Sequence, residues 1–271
     1  MNTDLGRDEL RELLDFATAI AQEAGAITLR WFGGMVEHQD KRDGSPVTPA
    51  DQEAERHLRL RIAERWPEHG ILGEEMGESR PGARVRWILD PIDGTRSFLR
   101  GVPLYGVLIG VEVDGEAAVG VMHFPALRET VAAAAGLGCT WNGRPCRVSG
   151  VARMSEATVL TTDPVVLLDG PERGGWERIE RRAALVRGWG DCYGHALVAT
   201  GRAEVMVDPI LNPWDAAPLL PIVTEAGGRF TTLEGQATIH GTSGVSTNGF
   251  LHDEVLRELR SSPEDPESSS S

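Results

Sequence analysis

Leu10, Leu13, Leu14, Ala17, Ile20, Ala21, Ala24, Ile27 and Trp31 recur at spacings of three and four residues. That period predicts a helix over residues 8–32 with one apolar face. Asp40 to Pro46 is polar and holds a glycine and a proline, so it reads as a loop. A second helix is expected over Pro49 to Arg65, with Thr48 as its N-cap and Pro49 at its first position. Val85 to Leu89 is short and apolar and reads as a strand that ends at Asp90. Val107–Val113 and Ala117–Met122 flank Asp114-Gly115-Glu116, a hairpin signal. Thr130 to Ala135 is a further strand candidate, and Asn142-Gly143 marks a second turn.

The mixture continues downstream. Glu177 to Leu185 suggests a helix and Ala203 to Val207 a strand. Asn212-Pro213 opens a helix that should end near Gly227-Gly228. Phe230–Thr232 and Gly244–Ser246 are short strand candidates, and Asp253–Arg260 is a last helix. Interleaved helices and strands place the chain in the α/β (α+β) class. No composition break and no fixed-period repeat divides it, so residues 1–260 are expected to form one domain with halves of about 1–150 and 151–260. Ser261 to Ser271 holds only serine, proline and acid, and is expected to be disordered.

Composition narrows the function. The net charge of −14 disfavours nucleic acid and anionic membranes as partners. It would also repel a phosphate ester unless bound cations reverse the sign locally. Cys139, Cys146 and Cys192 are odd in number and form no CxxC pair, which fits a reducing cytoplasm better than a disulfide framework. The N-terminus carries no signal-peptide pattern, and no apolar run reaches the length of a membrane span.

Four acidic clusters carry candidate chemistry: Asp51 in Val47-Thr48-Pro49-Ala50-Asp51, Glu74 and Glu75 after Gly73, Asp90 and Asp93 in Asp90-Pro91-Ile92-Asp93-Gly94-Thr95, and Asp215 after Trp214. Each has a plain structural reading. Thr48 with Asp51, and Asn212 with Asp215, resemble helix capping pairs. Glu74-Glu75 alone would be a solvated loop, and Asp93-Gly94 a turn. The Asp90 run is harder to read that way. Two carboxylates three residues apart at a strand end can converge on one point, and the Gly94 and Thr95 N–H groups would then offer an anion nest. Hard oxygen ligands select Mg2+ or Mn2+ over zinc, and beside an anion nest they suggest metal-assisted phosphoryl chemistry. The competing signatures are missing: there is no HExxH, P-loop or GxSxG motif, and no basic patch interleaved with aromatics. His123 and His195 read as structural or pocket-lining.

Taken in order, Val47-Thr48-x-x-Asp51, Gly73-Glu74-Glu75, Asp90-to-Thr95, Trp214-Asp215 and Glu225-Ala226-Gly227-Gly228 resemble the inositol monophosphatase superfamily over residues 8–260. The resemblance implies an αβαβα layered sandwich and two to three Mg2+ ions, with Mn2+ as an alternative. It places Glu74, Asp90 and the Ile92 carbonyl on a first ion and Asp90, Asp93 and Asp215 on a second. Glu74, with Asp51 through water, would serve a third. Thr95 and Asp51 would position or deprotonate the attacking water, and the Gly94 and Thr95 N–H groups would take phosphate oxygens. Lys41 matches a loop lysine that approaches the metals, Glu75 would support the ligands from behind, and relatives are commonly homodimers.

Within that superfamily the chain looks most like the bacterial histidinol-phosphate phosphatases. Arg96-Ser97-Phe98 follows Thr95 where inositol enzymes carry Thr-Asn-Phe, and Arg187-Gly188-Trp189-Gly190-Asp191-Cys192-Tyr193-Gly194 stands where they carry Gly-Ser-Ala-Ala. Asn248-Gly249-Phe250-Leu251-His252 resembles the subgroup's C-terminal segment. Histidinol phosphate is a cation at its far end, so its pocket should offer carboxylates beyond the metal ligands. Asp191 and Asp208 are the candidates, and Arg187 matches an arginine near the substrate in relatives. For both acids the structural alternative is a turn or strand-end residue. Three other functions remain open: hydrolysis of inositol or sugar-alcohol monophosphates, a 3′-nucleotidase acting on phosphoadenosine compounds, and a catalytically silent, metal-stabilised binding protein.

Overall fold

The computed structural model describes residues 5–41 and 44–260. The predicted tail, Ser261 to Ser271, lies outside them. The first half holds α1 (Arg7–Leu29), β1 (Gln39–Asp40), β2 (Pro46–Val47), α2 (Pro49–Arg65), β3 (Gly70–Gly73), β4 (Gly77–Ser79), β5 (Val85–Asp93), α3 (Thr95–Leu99), β6 (Gly106–Val113), β7 (Glu116–Phe124), β8 (Glu129–Ala134), β9 (Gly138–Trp141) and β10 (Arg144–Pro145). The second half holds β11 (Thr158–Thr161), α4 (Pro164–Asp169), α5 (Arg173–Arg182), β12 (Leu185–Arg187), α6 (Asp191–Ala199), β13 (Val205–Asp208), α7 (Pro213–Glu225), β14 (Arg229–Thr231), β15 (Gly244–Thr247) and α8 (His252–Arg260).

Eight strands form a large sheet in the order β10-β9-β8-β7-β6-β5-β3-β4, and five form a smaller one in the order β12-β11-β13-β15-β14. The apolar stripe of α1 and the inner side of α2 bury Leu13, Ala17, Ile20, Leu58 and Ile62 against Trp87, Leu89, Ile109 and Val121 of the large sheet. The other face of that sheet packs on α6 and α7 through Leu108, Met122, Ala196, Ala217 and Ile222. The small sheet follows, and α5 and α8 cover its far face with Trp176, Ile179, Val255 and Leu259. The layers are therefore α–β–α–β–α, as the resemblance implied.

Three sequence expectations need correction. The strand through Val85 does not end at Asp90 but runs to Asp93. Pro91 has no N–H to give the ladder. The register changes from Asp90 opposite Leu108 to Asp93 opposite Gly106, a bulge of one residue. The helix expected over 177–185 is α5, Arg173–Arg182, and Leu185 already pairs with Thr158 in a parallel strand. Gly174-Gly175 looks like a helix breaker, yet a Cβ on Gly175 would collide with the Glu258 carbonyl of α8. The glycine is there for close approach of two helices. The first helix stops at Leu29, before Trp31.

The α7 helix sits unusually deep for one that contains Pro218 and Pro221. A Cβ on Gly110 would strike Ala217, and one on Gly120 would strike the Pro218 carbonyl. Helix and sheet backbones thus meet without an intervening side-chain layer.

Candidate active site

Two capping residues and one bulged strand build the acidic centre. Thr48 caps α2 and its N–H donates to Asp51 Oδ2 at 2.8 Å, while its hydroxyl donates to the same oxygen at 2.6 Å. Asp51 is fully buried, and its other oxygen, Oδ1, has no hydrogen-bond partner. Asn212 caps α7, and its N–H donates to Asp215 Oδ2 at 2.8 Å. The capping reading of both acids is therefore correct, and it does not exhaust them. In Asp51 the cap occupies one oxygen and leaves the second orphaned.

The bulge explains Asp90 and Asp93. Residues three apart on a regular strand point to opposite faces, because the side-chain period is two. One extra residue at Pro91-Ile92 restores the parity. Asp90, Asp93 and Asp215 then each offer a ligand atom, all within 4.8 Å of one another. The Ile92 N–H donates back to Asp90 Oδ1 at 2.9 Å, and the Thr95 hydroxyl donates to the Ile92 carbonyl at 3.0 Å. Asp93 Oδ2 accepts the Cys192 N–H at 2.7 Å, which ties the large sheet to the start of α6. Gly94 takes φ +78°, a conformation that favours glycine, and begins the short helix α3.

Glu74 stands next to this group. Its charge acts on Asp90, Asp215 and Asp51. Lys41 Nζ donates to Glu74 at 2.7 Å and to Glu75 at 2.6 Å. Glu55 was not legible as part of the site. It is fully buried on α2 and accepts the Glu75 and Met76 N–H groups at 2.8 and 3.1 Å, which shapes the turn that presents Glu74. A Cβ on Gly73 would collide with Glu55, so the glycine before the acidic pair is the one local sign of that contact.

The electrostatics follow from the crowding. Burial, then the charges of Glu74, Asp93 and Asp215, holds the Asp90 carboxyl well above its ordinary range. Burial and the Asp215 charge push Asp93 up to about 7, and burial pushes Asp215 up to about 7. Asp51 rises to about 6, mainly by burial and against its hydrogen bonds to Thr48. Glu75 rises to about 7, again by burial, although Lys41 opposes it. For Lys41 burial works against the charge, but the hydrogen bonds to the two glutamates outweigh it and raise its pKa. One ammonium cannot compensate six neighbouring acids. A hard divalent cation can, and an all-oxygen set of converging carboxylates with an orphaned Asp51 oxygen beside it is the donor chemistry such a cation requires. The residues fit the group.

A cavity of about 420 Å³ adjoins this centre, lined by Arg96, Ser97, Thr162, Asp163, Asp191 and Asp208 among others. Asp191 is the first residue of α6 and takes φ +51°. The Ser97 hydroxyl reaches its Oδ2 at 3.5 Å, and its own N–H donates to the Thr162 hydroxyl at 2.8 Å. Thr162 in turn donates to Asp208 Oδ2 at 2.7 Å. Asp191 is pushed up to about 7 by burial and the Asp93 charge, and Asp208 up to about 7, chiefly by burial. Thr162 and Asp163 carry no local motif and were missed in the sequence. Arg187 does not line the cavity, although the next residue, Gly188, does; Arg187 is exposed on edge strand β12, and its guanidinium donates to the Val186 carbonyl at 2.7 Å. His195 is fully buried against Ser246, and His123 bonds Thr130; neither touches the acidic centre.

The inositol monophosphatase profile matches residues 9–264. The chain belongs to the inositol monophosphatase family. It is a phosphatase of that family, acting on small-molecule phosphate monoesters. A histidinol-phosphatase from Chlorobaculum parvum is 48% identical over 240 residues, which cover 88% of this chain and 93% of that protein. A histidinol-phosphatase from Mycobacterium tuberculosis is 41% identical, over 91% of this chain and 97% of that protein. The solved structure of a Thermotoga maritima IMPase superimposes with a TM-score of 0.84 at 32% identity, covering 92% of this chain and 96% of that one. Among the described residues no helix of this family member is long and apolar enough to cross a membrane.

Proposed function

We propose that this family member hydrolyses L-histidinol phosphate to L-histidinol and phosphate, with Mg2+ as its working cation and Mn2+ as a substitute. The observation that carries the substrate is the pair Asp191 and Asp208 on the wall of the cavity beside the acidic centre. A phosphate held at Asp93–Thr95 would extend its organic part into that cavity. There two carboxylates, raised by burial, gain a compensating charge when an ammonium or imidazolium enters. A neutral polyol offers no such charge. The names of the two histidinol-phosphatase relatives support the same choice.

Glu74, Asp90, the Ile92 carbonyl, Asp93 and Asp215 would hold the cations. Bound there, the cations would neutralise the phosphoryl oxygens and make a coordinated water acidic enough to react near neutral pH. The Gly94 and Thr95 N–H groups take phosphate oxygens. The Thr95 hydroxyl, oriented by the Ile92 carbonyl, positions the attacking water. Asp51 accepts the proton at Oδ1, the oxygen its cap leaves open. Its pKa of about 6 suits a base that works near neutrality. Lys41, paired with both Glu74 and Glu75, competes with the incoming cations for them. The reading carries with it a step of histidine biosynthesis, a cytoplasmic setting and a homodimer.

The test is phosphate release from histidinol phosphate, inositol 1-phosphate and phosphoadenosine phosphate, each with Mg2+ and with chelator. Histidinol phosphate should be fastest by kcat/KM, and chelator should abolish turnover. Preference for inositol 1-phosphate or the nucleotide would overturn the substrate. Turnover of none of them would leave a silent binding protein as the better account.

A further inference from the structure

Outside the acidic centre, the turn at Asn142-Gly143 sets up a second piece of chemistry. Asn142 and Gly143 take φ +48° and +73°, both central positions left-handed, which is the type I′ hairpin turn. That turn fixes the pairing: Trp141 faces Arg144 and Thr140 faces Pro145. The next rung outward pairs Cys139 with Cys146. The Cys146 N–H donates to the Cys139 carbonyl at 3.0 Å, which extends the ladder to that rung. Directly opposed residues in a hydrogen-bonded rung have Cα atoms about 5.5 Å apart, inside the range of about 4.4–6.8 Å that a disulfide spans. The two sulfurs are already 3.5 Å apart.

The two thiols are not equivalent. Cys139 is buried and packed among the residues between the large sheet and α7. Cys146 is half-buried, so a small reagent can reach it. The Arg202 guanidinium stacks 4.3 Å from the Trp141 ring on the same hairpin and adds positive charge near Cys146. Its hydrogen bond with Cys139, and that charge, lower the Cys146 pKa against burial, while Cys139 is raised. The pair thus divides into an attacking sulfur and a resolving one. Glu225 anchors the start of the hairpin by accepting the Gly136 and Gly138 N–H groups at 2.9 and 2.8 Å. Cys192 is buried beside Asp93 and has no sulfur neighbour among the described residues.

We infer that Cys139 and Cys146 form an oxidisable dithiol site that reacts with low-molecular-weight disulfides of the glutathione type. The Cys146 thiol gives its proton to solvent, and the thiolate attacks one sulfur of the small disulfide, forming a mixed disulfide and releasing one small thiolate, which takes up a proton. Cys139 loses its proton to solvent and attacks Cys146 Sγ. This closes the Cys139–Cys146 bond and releases the second small thiolate, which takes up a proton. The protein loses two electrons and two protons, and the small disulfide gains both.

The experiment exposes the full, metal-loaded chain to oxidised glutathione, quenches with acid, unfolds, alkylates and maps peptides by mass spectrometry. Two of the three thiols should be lost to alkylation, with the Cys139 and Cys146 peptides linked and Cys192 alkylated. Cys139→Ala should stop at the Cys146–glutathione adduct, and Cys146→Ser should lose the reaction. The wild-type map decides the matter even if a variant fails to fold. A persistent glutathione adduct on wild-type Cys146, a link to Cys192, or no reaction would each overturn the inference.

Discussion

Asp191 and Gly94 are in contact: a Cβ placed on Gly94 would stand 3.0 Å from Asp191 Oδ2. The residue that turns the chain into the proposed phosphate nest therefore also borders the acid proposed to face the substrate. Gly94→Ala meets a left-handed backbone and a tight carboxylate together. The backbone term alone costs about 1–2 kcal/mol, which lowers Tm by about 2–8 °C at this chain length. We expect kcat to fall about 10- to 100-fold through misplacement of the reacting groups. A variant with unchanged kcat in a phosphate-release assay would show that the turn does not position the ester.

Asp191→Asn keeps the shape and removes the charge. Asparagine tolerates the φ of +51° at this position, so folding should survive. Loss of a charged hydrogen bond, about 1.5–3 kcal/mol, should raise KM for histidinol phosphate about tenfold or more. An ester whose alcohol part is uncharged, such as glycerol phosphate, should be nearly unaffected. Equal changes for both esters would remove Asp191 from cation recognition.

Lys41→Met tests the ammonium between Glu74 and Glu75. With the lysine gone, both glutamates can turn to an incoming cation, and its electrostatic competitor is lost. The Mg2+ concentration for half-maximal activity should fall about three- to tenfold, a shift of roughly one pKa unit's worth of interaction. A higher Mg2+ requirement would mean that Lys41 organises the ligands rather than competing with the metal.

The pH dependence of stability should change sign of slope with metal. In the metal-free chain Asp93, Asp215, Asp191 and Asp208 hold folded values near 7 against an ordinary 3.8. Between those values the folded state binds more protons, so stability is lost as pH rises from about 4 to about 7. Bound cations would keep Asp93 and Asp215 ionised and cancel their share of that contribution, leaving the share of Asp191 and Asp208. His123, His252 and His195 act the opposite way. Burial lowers them to about 4, about 4 and about 3, from an ordinary 6.5. Their neutral burial is fully tolerated above 6.5 and destabilises as pH falls through 6.5 toward those values. With saturating Mg2+, Tm should fall on acidification from pH 6.5 to 4, with proton competition for the ligands adding to it. With chelator, Tm should stay flat or rise over the same interval. Parallel melting curves in the two conditions would contradict the electrostatic picture.

The sequence showed what is local and strongly patterned. The α1 stripe, the Thr48-Pro49 helix start and the Asp114-Gly115 hairpin are set by neighbours in the chain, and each stands where its pattern put it, except that α1 ends at Leu29, short of Trp31. The bulge at Pro91-Ile92 was not legible, because it is defined against Leu108 and Gly106 of another strand. Nor was α4, whose single turn and a half leaves too little periodicity to read. At the site, the acids were visible because their motifs are compact. Glu55 and Thr162 were not, because their partners lie 20 to 46 residues away and neither sits in a motif. The contact between Asp93 and the Cys192 N–H spans 99 residues, and only the fold reveals it.

Where α7 rests on Gly110 and Gly120, backbone meets backbone, so the placement of Asp215 against Asp90 does not depend on the bulk of any one side chain at that seam. The cavity wall at Thr162, Asp163 and Asp208 belongs to the small sheet and the loops that leave it. A lineage could exchange that wall repeatedly, sampling new esters, while the reaction centre stayed in tune. Conversely, an alanine at Gly110 or Gly120 would strike at every substrate alike, however well the pocket was redesigned.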